Sequence, residues 1–306
     1  MQQDRNVINA NREWSVPVRG TYPTQARYTS PVTSDAAHAL LGRLLPGLAA
    51  AGTVAAIAHR AGALTGRGAW AATAVGTACV AAGWDWGALL VAFFVASTTL
   101  SRVGHARKAS VAAGVVAKAG PRDATQVLAN GGAFAACAVG YMLQRSPLWY
   151  AAGAGGLAAA TADTWGTEVG MLAGSAPRSI LSWRPVPIGT SGGVTIIGTA
   201  ASIAGAIFIG VTARAFGWSP SAAWSAVIGG VAGATADSIL GATLQARRWC
   251  DHCQAATERV VHTCGGPTVA AAGMTWLDND AVNVAGAGVG ALTGLATTWI
   301  AGRSGA

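Results

Sequence analysis

Two aspartates stand where a charge is expensive. Asp163 lies near the end of GGLAAATADT, residues 155–164, and Asp237 holds the same place in GGVAGATADS, residues 229–238; seven of the ten positions are identical. An ionised carboxylate in hydrocarbon costs several kcal/mol unless it is paired, hydrogen-bonded or bound to a cation. Two carboxylates brought together repel unless they share a proton or a metal. Such a pair suits Mg²⁺, which binds through one or two carboxylates together with substrate phosphates. The repeat therefore points to metal-assisted phosphate chemistry, with Asp163 and Asp237 as catalytic metal ligands. The competing interpretation is that each aspartate merely bonds a neighbouring hydroxyl, from Thr161, Thr164, Thr235 or Ser238.

Other polar residues follow the same chemistry. Glu168, in ADTWGTEVG, shares a helix face with Thr164 and Thr161 and is a candidate catalytic residue, as a metal ligand or to orient a water. Gln245 comes two turns after Asp237 on about the same face. In PVPIGTSGGVTIIG, Thr190, Ser191, Gly192 and Gly193 read as a turn at a helix N-terminus, with Thr190 or Ser191 as N-cap. Such a turn offers N–H groups and hydroxyls to a phosphate, although a plain glycine-rich helix entry accounts for it equally well. No Lys follows the glycines, so it is not a Walker motif. Arg102, Arg107 and Lys108 are candidate phosphate-binding cations or ordinary basic flanks. Asn130 (in TQVLANGG), Asn279 and Asn283 (in WLDNDAVN) are candidate polar contacts, and Asp280 is a third candidate carboxylate for Mg²⁺ or a helix N-terminal acid.

A second metal chemistry is legible in CDHCQAATERVVHTCGG. Cys250, Cys253, His262 and Cys264 supply three thiols and an imidazole, the ligand set of a structural Zn²⁺ site. His252 is the rival fourth ligand, less suited because it lies inside the two-residue turn. Cys79 and Cys137 sit in apolar stretches and read as small buried hydrophobes.

The elements that must hold these groups are membrane helices. Charged residues are 10% of the 306, against about 25% in an ordinary soluble domain. Mean hydropathy is +0.42 and there are 42 glycines, a composition that lets helix backbones approach closely. Eight apolar segments are long enough to cross ~30 Å of hydrocarbon: roughly 38–58, 68–83, 86–103, 126–143, 148–171, 192–213, 221–245 and 280–301. The fold class expected is all-α, a polytopic bundle forming one transmembrane domain over 38–306, with a small zinc-knuckle-like loop at 246–279. Residues 1–37 read as a polar, disordered tail and not as a signal peptide. The odd-numbered loops carry twelve Lys and Arg against two in the even-numbered ones, which makes the odd loops cytoplasmic, although the tail adds four arginines on the opposite side. The net charge of +8 is thus topological and implies no nucleic-acid partner. Asp163 and Asp237 each lie about 15 residues into parallel spans, ~22 Å along the helix and near the cytoplasmic face.

Together ATADTWGTEVG, PVPIGTSGGV, ADSILGATLQ, TQVLANGG and WLDNDAVN resemble the integral membrane family that includes the plant plastid phytyl-phosphate kinase, long catalogued as a domain of unknown function. The resemblance covers about residues 40–300. It implies phosphoryl transfer to an isoprenoid monophosphate lipid, with CTP or another nucleoside triphosphate as donor. The expectation is therefore a prenyl-phosphate kinase of a prokaryotic plasma membrane, its active site facing the cytoplasm. A membrane nucleotidyltransferase acting on a lipid phosphate and an ion-coupled secondary transporter are the alternatives.

Overall fold

The computed structural model describes residues 34–304 except 113 and 119. The tail expectation therefore falls mostly outside the described residues. Eight long helices occupy the eight apolar segments. They are α1 (Ser34–Arg60), α2 (Gly66–Ala82), α3 (Trp84–Arg102), then, after a short α4 (His105–Ala112), α5 (Ala124–Gln144), α6 (Leu148–Leu172), α7 (Ile196–Ala215), α8 (Pro220–Thr243) and α9 (Asn279–Ser304). Five of them, α3, α5, α7, α8 and α9, are long and apolar enough to cross a membrane.

Local chemistry sets the boundaries. The Thr65 side chain accepts the Gly68 N–H at the start of α2, and Asp123 and Gln126 form a capping box at the start of α5. Ser219 caps α8, with Pro220 in its first turn, and Arg145 ends α5 in the left-handed region. Helix α7 starts at Ile196, not 192, because Gly193–Val194 forms β2, which pairs antiparallel with β1 (Arg178–Ser179). Thr195 is the N-cap, accepting from Gly198 N at 2.9 Å. The turn 190–193 thus lies ahead of a strand and is not a helix N-terminus. Between α8 and α9, strands β3 (Arg247–Cys250), β4 (Ala255–Thr257) and β5 (Val269–Ala272) form an antiparallel sheet in the order β4-β3-β5.

Helix α6 runs through the middle, buried without interruption from Ala151 to Ala162. It packs on α5, α7, α8 and α9. Its contact with α8 keeps one register. A Cβ on Gly229 would lie 2.8 Å from Gly155 Cα, and one on Gly233 would lie 2.4 Å from Ala159 Cβ. Residue i of α6 thus meets residue i+74 of α8, so the helices run parallel and the repeated decamers lie side by side. Antiparallel α9 closes the seam, with Gly290 O and Gly286 O against the same glycines.

The two ends of the bundle differ. At one end the connections α1–α2, α3–α5, α6–α7 and α8–α9 join through polar contacts. Arg102 donates to Ala61 O (2.5 Å), Thr65 N to Arg122 O (3.0 Å), Glu258 N to Val115 O (2.9 Å) and Lys118 to Asp280 (2.5 Å). At the other end Trp86, Phe134, Tyr141, Tyr150 and Trp218 form one aromatic cluster, and Trp218 Nε1 donates to Asp85 Oδ2 at 2.8 Å.

Candidate functional site

The register of α6 on α8 carries Asp163 to Asp237. Both line one narrow crevice, with Asn130 of α5, Asn283 of α9 and the small residues Gly233 and Gly286. Asp237 Oδ2 is buried without a hydrogen-bond partner among the described residues. The hydroxyl alternative fails for three of its four partners. Thr161, Thr164 and Thr235 each donate to the carbonyl four residues earlier, at 2.7, 2.8 and 2.7 Å. Asn130 donates Nδ2 to Gln126 O at 2.9 Å, which leaves its carbonyl oxygen for the crevice. Two carboxylates and two side-chain amides thus converge with an orphaned acidic oxygen. That donor set fits a hard cation such as Mg²⁺.

The other acids divide differently from the sequence-based expectation. Asp280 does not line the crevice; it accepts from Lys118 Nζ at 2.5 Å, while Asp278 accepts the Ala281 N–H at the entry to α9. Glu168 pairs with Lys108 at 2.5 Å. Lys108 is only 5% exposed and also donates to Leu100 O and Ser101 O, both at 2.9 Å, so its three N–H groups are used. Lys108 and Glu168 therefore lock α4 and the end of α3 to α6; Lys108 has no donor left for a phosphate, whereas Glu168 engages Lys108 through Oε2 alone.

Glu258, which carries no motif of its own, is a further acid near the crevice, although like Asp280 it does not line it, and Asp280 Oδ1 is itself buried without a partner among the described residues. Glu258 lies just beyond β4 and within electrostatic range of Asp237. Ser191 N and Oγ donate to its Oε1, at 3.3 and 2.5 Å. The Thr190–Gly193 turn does bind an anion through Ser191, but that anion is an internal carboxylate. Burial raises the Glu258 carboxyl, against the opposing pull of the Ser191 donors and Arg247. Gly192, at φ +77°, seats the turn on α8; a Cβ there would lie 2.5 Å from Ala242 Cβ. Gln245 is buried beside Glu258, and Asn279 opens α9 away from the crevice that Asn283 lines. Arg102 is exposed and donates Nη2 to Ala61 O, and Arg107 is exposed, its Nη2 near Gly174. No local signal marks Glu258 in the sequence, because its partners Asp237 and Ser191 are 21 and 67 positions away.

A second space adjoins the crevice. An apolar cleft of about 570 Å³ lies among α1, α2, α3 and α5, walled by residues such as Ala55, Val75 and Phe93. Arg122, Gln126, Asn130 and Thr164 supply its polar end. Asn130 lines both spaces.

The cysteine cluster assembles as the spacing requires. The ligand atoms of Cys250, Cys253, His262 and Cys264 all lie within 4.8 Å of one another, carried by the end of β3 and two turns of the sheet. Cys250 Sγ is 3.7 Å from Cys264 Sγ, and His262 Nδ1 is 3.4 Å from Cys264 Sγ. His252 contacts Cys253 at 3.7 Å but stands outside the group of four. The Gly266 N–H and then His262 draw the Cys264 thiol down to about 6, while a hydrogen bond to Cys264 pushes the Cys253 thiol up to about 11, so Cys264 is the ligand most readily ionised. Four such donors fit a tetrahedral Zn²⁺.

Comparison with known proteins adds to this geometry. The family described as Integral membrane protein DUF92 matches residues 49–291. Protein PGR of Arabidopsis thaliana is 32% identical over 228 residues, covering 66% of this chain and 77% of its own length. Uncharacterized membrane proteins of Methanocaldococcus jannaschii and Synechocystis are 34% and 31% identical, over 51% and 55% of this chain and 64% and 66% of their own lengths. No solved structure matches the chain.

Proposed function

The chain belongs to the DUF92 family of integral membrane proteins, and from that premise we propose that it is a membrane-embedded phosphotransferase acting on an isoprenoid monophosphate. All eight long helices cross the bilayer, and the end that joins the polar loops faces the cytoplasm of a prokaryotic cell. The donor is a nucleoside triphosphate, CTP or another, entering from that side. One observation carries the reading: Asp163 and Asp237 converge in a single crevice, with an unpartnered carboxylate oxygen, beside an apolar cleft that shares Asn130.

The chemistry asks little covalent help of the protein. An oxygen of the lipid phosphate attacks the γ-phosphorus, the bond to the β,γ-bridging oxygen breaks, and the nucleoside diphosphate leaves. The nucleophile is already anionic near neutral pH, so no strong general base is needed. Mg²⁺, when bound by Asp163 and Asp237, would neutralise charge on the donor phosphates. Glu258, positioned by Ser191, adds a third carboxylate to that centre. Asn130 would offer its carbonyl oxygen to the same cation, Asn283 lines the crevice beside it, and Arg107 meets the donor at the open end. Lys108 and Glu168 hold α4 against α6 and keep the basic loop in place. A structural Zn²⁺ on Cys250, Cys253, His262 and Cys264 braces the segment that presents Glu258.

The test is an assay on purified protein in detergent with Mg²⁺, γ- or α-labelled CTP or ATP, and short prenyl phosphates. Transfer of γ-label to a prenyl diphosphate is expected. Nucleoside monophosphate on the lipid would make the protein a nucleotidyltransferase. Absence of nucleotide turnover, with substrate-dependent flux in liposomes, would make it a transporter.

A further inference from the structure

We propose that the apolar cleft among α1, α2, α3 and α5 is the seat of a single-chain lipid monophosphate, with Arg122 as the cation that receives its phosphate. The identity of the headgroup rests on the phosphotransferase reading; the seat itself rests on the geometry. The cleft, at about 570 Å³, falls within the ~300–1,000 Å³ span of small-molecule sites. Its walls run along α2 and α3 and are almost wholly aliphatic and aromatic, which suits a hydrocarbon tail and nothing charged. Its polar end is confined to Arg122, Gln126, Asn130 and Thr164.

Arg122 is the unusual member. It is half-buried, and none of the ion pairs among the described residues includes it. Nη1 donates to Thr98 Oγ1 at 2.7 Å and Nη2 to Ser101 Oγ at 3.5 Å, both neutral, and the guanidinium lies 5.8 Å from the Phe94 ring centre. Of five donors, three remain. Glu168, the acid that acts on it electrostatically, is already paired with Lys108. A guanidinium taken partly out of water without a counter-ion is costly unless an anion completes it. Its backbone is fixed on both sides, since Arg122 N donates to Ala63 O and Arg122 O accepts from Thr65 N, both at 3.0 Å. The charge is therefore held rigidly at the mouth of an apolar cleft. Asn130, one turn beyond Gln126, leads from that mouth into the Asp163–Asp237 crevice. A monophosphate on Arg122 would be delivered there with its tail behind it.

The experiment is photolabelling of the full-length protein in detergent, without nucleotide or divalent cation. The probe is a prenyl monophosphate bearing a diazirine at the tail end; a matching prenyl alcohol probe serves as control. Adducts are expected on α2 and α3 in the cleft wall, around Val75 and Val91. Unlabelled prenyl phosphate should compete at least tenfold better than the alcohol. Arg122→Ala should weaken phosphate competition about 10- to 100-fold, the range expected for losing charge-assisted hydrogen bonds. The alcohol probe should still label the same peptides in that variant, showing that it folds, and Ala88→Trp should block both probes. Adducts confined to helices that do not wall the cleft would overturn the proposal. So would equal competition by phosphate and alcohol in the unaltered protein, which would make the cleft a seat for bulk lipid. Cleft labelling without phosphoryl transfer would refute the enzyme reading and leave the seat standing; transfer with adducts elsewhere would refute only the seat.

Discussion

Replacing Gly233 with alanine tests the three-helix seam, and its sign is decided by two opposed effects. Alanine in a helix interior is favoured over glycine by about 1 kcal/mol. At position 233, however, the new methyl would lie 2.4 Å from Ala159 Cβ on α6 and 2.5 Å from Gly286 O on α9. That is about 1 Å inside normal carbon contact, and neither neighbour is the tip of a flexible side chain. Because two neighbours are struck at once, the helices must part at about 2–3 kcal/mol, the upper end of the usual overpacking cost, so the net effect is a loss of ~1–2 kcal/mol. Gly288→Ala is the internal control: it also lies inside α9, but a Cβ there meets nothing within 4 Å, so it should gain ~0.5–1 kcal/mol. At about 2–4 °C per kcal/mol, melting temperatures of the two variants in one detergent should differ by roughly 3–12 °C, Gly233→Ala being the lower. Asp237 lies one turn beyond Gly233, so the same displacement should reduce turnover by ~10²-fold. A Gly233→Ala variant that melts at or above the unaltered protein would refute the backbone contact of α6, α8 and α9.

Four further outcomes follow from the geometry. Purified protein should carry about one Zn²⁺ by elemental analysis; Cys264→Ser should lose it, while His252→Ala keeps it. Asp123→Ala should cost about 1 kcal/mol by removing the cap of α5, read as a lower melting temperature. Because the folded Asp123 carboxyl is drawn down to about 2, chiefly by Lys118 and Gln126 against burial, its contribution is complete above pH ~4 and fades as pH falls through about 2; solvent screening keeps it near ~1 kcal/mol. Lys108→Met should leave Glu168 half-buried and unpaired, destabilising by ~3 kcal/mol, and the double variant with Glu168→Gln should recover part of that loss in a thermal melt.

The helical segments were legible because each is a long apolar run, and the close approach of α6 and α8 was legible because the decamers repeat at a fixed spacing. The same repeat placed Asp163 beside Asp237. The cysteine cluster was legible because ligand type and spacing reflect the geometry of a tight turn. What the sequence concealed are contacts between residues far apart in the chain. Ser191 was read as a phosphate ligand because nothing local reveals that Glu258, 67 positions on, reaches it. Lys108 was read as a free cation because its partner Glu168 is 60 positions away, on another helix. The start of α7 was misplaced by four residues because Gly193–Val194 pairs with a strand whose two-residue length leaves no periodic signal. Arg122 carries no local signal because its exceptional feature, a half-buried charge in none of the ion pairs among the described residues, is a property of its surroundings.

The pairing of Asp163 with Asp237 is tested most directly by titrating purified protein with Mn²⁺ in the presence of a non-hydrolysable nucleoside triphosphate and following free Mn²⁺ by electron paramagnetic resonance. One tight Mn²⁺ site is expected, lost alike in Asp163→Asn and Asp237→Asn while both variants keep their Zn²⁺ and their melting behaviour. Tight Mn²⁺ binding that survives both substitutions would contradict the account.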